Sequence, residues 1–198
     1  LFGARSFSIR NERGELVFDS GDEIERITAA AHPADFNSDN RFNGTFDARS
    51  VNQGPEPEGA IAASVFGRTY AFIGLERIGG VMVYDLSNPL APRFVQYANK
   101  RTFATGPEGA DDDLGPEGLL FIRAEDSPNG APLVVTSNEV SGTVTIYTIA
   151  QQPQPGISAG GVVSGTHYEA RLAPGGIISI FGANLAAMSC QRRRKRSD

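Results

Sequence analysis

Cysteine is nearly absent from this chain, and the lone Cys190 excludes both an internal disulfide framework and a cysteine-built zinc site. Histidine is almost as scarce. His32 and His167 fall in different segments of the chain, each reads as a surface residue, and a His-rich zinc site or a hydrolase triad would have to use one of them. No apolar run approaches the roughly 18 residues needed to cross a bilayer as a helix. Nor is there a Gly-x-Ser-x-Gly elbow, a P-loop or a dinucleotide-binding fingerprint. The sequence opens on Leu1 with no charged-then-apolar leader after it, so an export signal is expected upstream.

Positive charge is also scarce outside one place. Five of the 18 basic residues lie at 192–196, and one of the 23 acidic residues is Asp198, so the remainder carries 13 basic and 22 acidic groups, a net of −9. An acidic body argues against a phosphate backbone as partner, so no nucleic acid is expected. The abrupt basic run at 188–198 reads as a disordered or artefactual tail.

What the chain has in quantity is apolar residues (40%), glycine (23) and proline (12). That is enough hydrophobic material for a packed core, punctuated by the turn signals of an all-β protein with many short strands. Residues 6–18 read as two strands around a tight turn at Asn11-Glu12-Arg13-Gly14. Residues 19–50 read mainly as a long loop, with one or two helical turns over 24–31 stopped by Pro33.

A repeat follows. Gly54-Pro55-Glu56-Pro57-Glu58-Gly59 leads into a strand over 60–66, a turn at Gly67-Arg68, strands over 69–74 and 81–86, and a further strand at 93–97. The second copy starts at Leu114-Gly115-Pro116-Glu117-Gly118 and continues through strands near 119–123, 133–136 and 143–149. The offset is 59 residues at Glu58/Glu117 and 63 at Glu76/Glu139, Gly79/Gly142 and Tyr84/Tyr147. The four extra residues fall in the turn Ser127-Pro128-Asn129-Gly130, where insertions are tolerated. A period of this length with several strands per unit is the pattern of propeller blades. Each blade needs neighbours to cover its apolar faces, so further blades are expected outside this sequence.

The motifs Gly3-Ala4-Arg5-Ser6-Phe7-Ser8-Ile9, Leu16-Val17-Phe18-Asp19-Ser20-Gly21, Gly54–Gly59, Tyr70-Ala71-Phe72-Ile73-Gly74-Leu75-Glu76-Arg77 and Asn138-Glu139-Val140-Ser141-Gly142-Thr143 carry a family resemblance. With the stretches 79–85 and 114–121, they make segment 3–149 resemble the choice-of-anchor I propeller proteins. That family is related to the mesenchyme-specific cell-surface glycoprotein and is sometimes labelled alkaline-phosphatase-like. The resemblance implies the last two to three blades of a seven-bladed ring and export to the cell surface. It supplies no established catalytic set. Residues 161–186, through Ala173-Pro174-Gly175-Gly176-Ile177-Ile178-Ser179-Ile180-Phe181-Gly182-Ala183-Asn184-Leu185-Ala186, resemble a second family, an uncharacterised β-sandwich-like module at the C-termini of secreted acidobacterial proteins. The expected organisation is therefore a partial β-propeller over 1–150, a Gln/Pro linker over 151–160, a truncated β module over 161–187 and the basic tail.

The candidate ligand-binding residues are Glu56, Glu58, Glu76, Arg77, Glu117 and Glu139. Repeat symmetry should bring Glu58 and Glu117 to one rim or to the central channel, where carboxylates could hold Ca²⁺ through oxygen ligands. The competing reading is that each Glu fixes its own turn, or pairs with Arg49 or Arg77. Asp35-Phe36-Asn37-Ser38-Asp39 starts like a calcium loop, but Asn40 and Phe46 stand at its sixth and twelfth positions, so it fails the EF-hand pattern and reads as a solvated loop. Asp111-Asp112-Asp113 reads as an exposed acidic turn, and Asn43-Gly44-Thr45 fits a glycosylation sequon common by chance. The functional expectation is an extracellular or cell-surface module that binds an unknown surface ligand or protein, with no catalytic residue assigned. The alternative is a calcium-dependent, alkaline-phosphatase-like hydrolase whose site needs the missing blades.

Overall fold

The computed structural model describes residues 5–103, 113–151, 156–170, 172, 174 and 177–183. The chain divides into two compact units, 1–150 and 151–198. Every sheet is antiparallel.

The first unit opens with a hairpin of β1 (Ser8–Arg10) and β2 (Leu16–Asp19). The Asn11 side chain builds its turn by accepting hydrogen bonds from the Arg13 and Glu15 amides, each at 3.0 Å. Helix α1 (Glu23–Ala31) buries Ile24 and Thr28, four residues apart and hence on one face. It ends at Ala31, and His32, the residue preceding Pro33, leaves the helical region as the steric restriction before proline requires.

Next comes a four-stranded meander of β3 (Pro57–Val65), β4 (Arg68–Leu75), β5 (Val81–Asp85) and β6 (Arg93–Ala98). The two-residue turn between β3 and β4 places both Phe66 (φ 50°) and Gly67 (φ 77°) in the left-handed region, the geometry that matches hairpin twist. The second copy of the repeat gives a three-stranded meander of β7 (Pro116–Ile122), β8 (Leu133–Asn138) and β9 (Thr143–Thr148). It has no counterpart of β6 among the described residues.

The strand alternation sorts the core into two layers. On one face of the first sheet Ala71, Ile73, Leu75, Met82 and Tyr84 pack with Ile24 of α1, and Phe7 lies against Tyr84 at 4.8 Å between ring centroids. On the opposite face Phe72, Val81 and Val65 pack with Val134, Leu119, Phe121 and Tyr147 of the second sheet. The first sheet is thus covered on both sides, which is why β4 and β5 read as continuous apolar runs rather than alternating ones. Among the described residues the second sheet is covered on one side only. Its other face leaves Leu120, Val144 and Ile146 each about 60% exposed, at 58, 62 and 62%. Two sheets of one repeat stacked face to face, with β3 beside β7, form part of a propeller-like or sandwich-like array.

The repeat is also visible bond by bond. The Glu76 and Arg77 amides donate to the Glu56 and Pro55 carbonyls, and the Gly79 amide donates to the Leu75 carbonyl. In the second copy Glu139 and Val140 donate to Gly115 and Leu114, and Gly142 donates to Asn138. Each pair is offset by the same 59 or 63 residues found in the sequence. Gly79 (φ 89°) and Gly142 (φ 67°) occupy the same left-handed turn position.

The second unit is a hairpin of β10 (Gly156–Ser164) and β11 (Ile178–Ala183). β10 begins at Gly156, five residues ahead of the strand read from the sequence at 161–164. Its first half is mostly small residues (Gly156, Ser158, Ala159, Gly160), so neither apolar alternation nor β-branching marks it.

Candidate functional site

The turn between β4 and β5 carries Glu76 and Arg77, while Glu56 and Glu58 flank the start of β3. Because the Glu76 amide is bonded to the Glu56 carbonyl at 2.9 Å, the two segments are clamped together and their side chains converge. Carboxylate oxygens of Glu56, Glu58 and Glu76 all lie within 4.8 Å of one another. They are the one group of three or more metal-ligating side chains found among the described residues.

Exposure grades across the cluster. Glu58 is exposed, Glu56 is half-buried and Glu76 retains only 5% of its surface. Glu56 holds a left-handed backbone (φ 54°), a conformation costly for a residue with a Cβ and sustained here by the two backbone bonds that pin Pro55 and Glu56.

Two arginines face these three acids. Arg77 donates through Nε to Glu56 and pairs with Glu76 at 2.8 Å, and Arg49 approaches Glu56 at 3.7 Å and Asp39 at 3.9 Å. Glu58 has no ion pair among the described residues. Burial pushes the Glu76 carboxyl up to about 8, helped by its hydrogen bond to Glu58 and the nearby Glu56 and Glu58 charges, against the opposing pull of Arg77. Behind Glu76 stands Asn40, 1% exposed, whose Nδ2 donates to Glu76 Oε1 at 2.8 Å. Asn40 Oδ1 is buried without a hydrogen-bond partner.

Asn40 belongs to the segment expected to be a solvated loop, and there the structure differs. Asn37, Ser38 and Asn40 are all within 1% of complete burial. The cause is a set of partners distant in sequence. Glu25 of α1 accepts from Asn37 Nδ2 at 2.7 Å and from Arg5 Nη1 at 2.6 Å, and Glu76 holds Asn40. Arg101 closes the loop from the other side, donating to the Phe42 and Arg77 carbonyls at 3.0 Å each. A loop exceeding about a dozen residues without structure of its own is uncommon unless it is packed or functional, and its length was the one sequence signal for this burial.

The six candidate residues separate into two sets. Glu56, Glu58, Glu76 and Arg77 come together. Glu117 and Glu139 are exposed and lie outside the carboxylate group, which gathers Glu58 with Glu56 and Glu76. The Glu117 backbone is nonetheless beside the first copy, its carbonyl facing Gly59. The second copy cannot rebuild the cluster, since Gly115 stands where Glu56 is and Val140 where Arg77 is. In its place Asn138 donates to Thr143 at 3.0 Å and to Thr145 at 2.8 Å, and Thr143 donates to Asp113 at 2.8 Å. Asp111 and Asp112 lie outside the described residues.

Neither histidine joins the acidic cluster. His32 packs its ring 4.7 Å from Phe103, where burial lowers its pKa, and His167 is exposed beside Thr166. No helix among the described residues is long and apolar enough to cross a membrane.

Comparison with known proteins agrees with the sequence motifs. Residues 1–89 match the family model of the choice-of-anchor I domain, a stretch that holds all four clustered residues. The chain is also similar to Gigasin-3a of Magallana gigas, at 28% identity over 166 residues. That alignment covers 78% of this chain and 58% of the oyster protein, so the chain spans a little over half the length of this curated relative. No solved structure gives a significant match.

Proposed function

We propose that this chain is part of an extracellular or cell-surface β-module that works by binding and presentation rather than by catalysis. The observation that carries this reading is the stacking of two copies of one repeat. It brings the Pro-Glu-Gly segments side by side at the start of β3 and β7, with an acidic, partly exposed cluster on the first of them. Loops displayed from rigid stacked sheets are a common way to build a recognition surface, because the sheets hold the loops in place without taking part themselves. The choice-of-anchor I match over residues 1–89 supports the surface assignment. In the carboxylate cluster, Arg77 and Arg49 compensate charge on Glu56 and Glu76, which suits a structural or ligand-holding role.

Two measurements test this. Protease added to intact producing cells is expected to degrade the chain; protection until the cells are lysed would contradict surface display. Hydrolysis of a phosphate monoester such as para-nitrophenyl phosphate, with millimolar calcium, is expected to stay at the buffer rate. Turnover that disappears in a Glu58→Gln/Glu117→Gln variant would overturn the binding reading in favour of a hydrolase.

A further inference from the structure

We propose that Glu56, Glu58 and Glu76, with the side-chain carbonyl of Asn40, form a binding site for a hard divalent cation of the size of Ca²⁺. The site lies within the surface module described above but does not depend on display or on the lack of hydrolysis. A negative calcium result therefore leaves that reading standing.

Distance comes first. Three oxygens lying within 4.8 Å of one another can all be reached by one ion no more than about 2.8 Å from each, so a small inward shift gives the range of about 2.3–2.6 Å for calcium–oxygen bonds. Magnesium binds at about 2.0–2.1 Å and demands a stricter octahedron, which three clamped glutamates suit less well.

The second observation is independent of the acids. Asn40 is 1% exposed, and its Nδ2 is fixed on Glu76 Oε1. That bond holds the amide against the cluster while Oδ1 has no hydrogen-bond partner. A buried carbonyl left unpaired is unfavourable, and a cation is the type of partner that would satisfy it. Neutral side-chain carbonyls beside carboxylates are ordinary calcium ligands.

Charge and access agree. Two guanidinium groups face three carboxylates, and both act on Glu56 or Glu76, so Glu58 lacks a basic partner among the described residues. Glu58 is also the exposed member, which gives an ion a route from solvent to the buried Glu76.

The test uses the full 198-residue chain, stripped with a chelator and titrated with CaCl₂ or MgCl₂ at pH 8, by calorimetry and by thermal unfolding. Binding of one Ca²⁺ per chain is expected, with the midpoint raised by roughly 5 °C at a hundredfold excess over Kd and a weaker effect of magnesium. Glu58→Gln, at an exposed position where folding is safe, should weaken calcium binding at least about tenfold, the effect expected of a lost charged ligand. Asp113→Asn, outside the cluster, should leave it unchanged. No heat and no shift in the wild-type chain at millimolar calcium would mean that the cluster holds no cation, and the proposal fails. Calcium binding indifferent to Glu58→Gln would place the ion elsewhere, and the proposal fails equally.

Discussion

Arg77→Ala is expected to cost the chain about 3 kcal/mol of stability at pH 8. Arg77 is the shared partner of Glu56 and Glu76, whose side chains keep only 13% and 6% of their surface. Removing one member of a buried charge pair leaves the others desolvated and uncompensated, a loss of about 3–5 kcal/mol. The lower figure applies because Arg77 keeps 20% of its side chain in water, where screening weakens the interaction.

The sign of the pH dependence follows. Glu76 has its pKa raised from the ordinary 4.5 to about 8 in the folded chain, so between these values folding takes up a proton and stability falls as pH rises. Without Arg77 the Glu76 carboxyl holds its proton more strongly still. The variant's deficit should therefore be largest at pH 8 and shrink toward pH 5, where the unfolded chain also begins to protonate. Urea unfolding at the two values, wild type beside variant, measures this. An Arg77→Ala chain as stable as wild type at pH 8 would show that the cluster is solvated and not clamped.

Gly59→Val should cost a similar amount, about 3 kcal/mol, for a steric reason. A Cβ at Gly59 would meet the Glu117 carbonyl oxygen at 2.5 Å and collide with Leu119 Cδ1. The carbonyl is backbone of the neighbouring sheet and can retreat only if β7 moves away from β3, which opens the core between Phe72 and Phe121. The equivalent glycine of the second copy gives the contrast. At Gly118 a Cβ would meet the Ser137 hydroxyl, a group that rotates aside, so Gly118→Ala should cost less than about 1 kcal/mol. Thermal melts of the two variants compare them directly. Equal and small effects would mean that the sheets do not approach as closely as β3 and β7 do here.

These contacts show which parts of the structure could be read in the sequence. The strands of both repeats were legible because alternation is a local signal, and the turn read at Gly67-Arg68 falls one residue earlier, at Phe66-Gly67. The equivalence of Glu76 with Glu139 was legible too, and the structure gives both residues the same backbone bond. The reason for the glycine in Pro-Glu-Gly was not. It lies in a neighbouring sheet whose relevant backbone atom is 58 positions away, at Glu117.

The acidic site was half legible. Its acids stood out by repetition, which linked Glu58 to Glu117 across copies, but the gathering of Glu58 with Glu56 and Glu76 within one copy had no such signal. Asn40 was hidden altogether. Asparagine, serine and aspartate in a loop look solvated unless their partners are known, and the Asn40 partner, Glu76, is 36 residues on.

The face-to-face stacking of the two repeated sheets is the observation that carries the proposed function, and a double-mutant cycle on Phe72 and Phe121 tests it most directly. Their rings lie 6.4 Å apart and near parallel, 15° between planes, across the two sheets. Unfolding of wild type, Phe72→Ala, Phe121→Ala and the double variant should give a coupling energy of about 0.5–1.5 kcal/mol. Strict additivity of the two single losses would contradict the stacked arrangement.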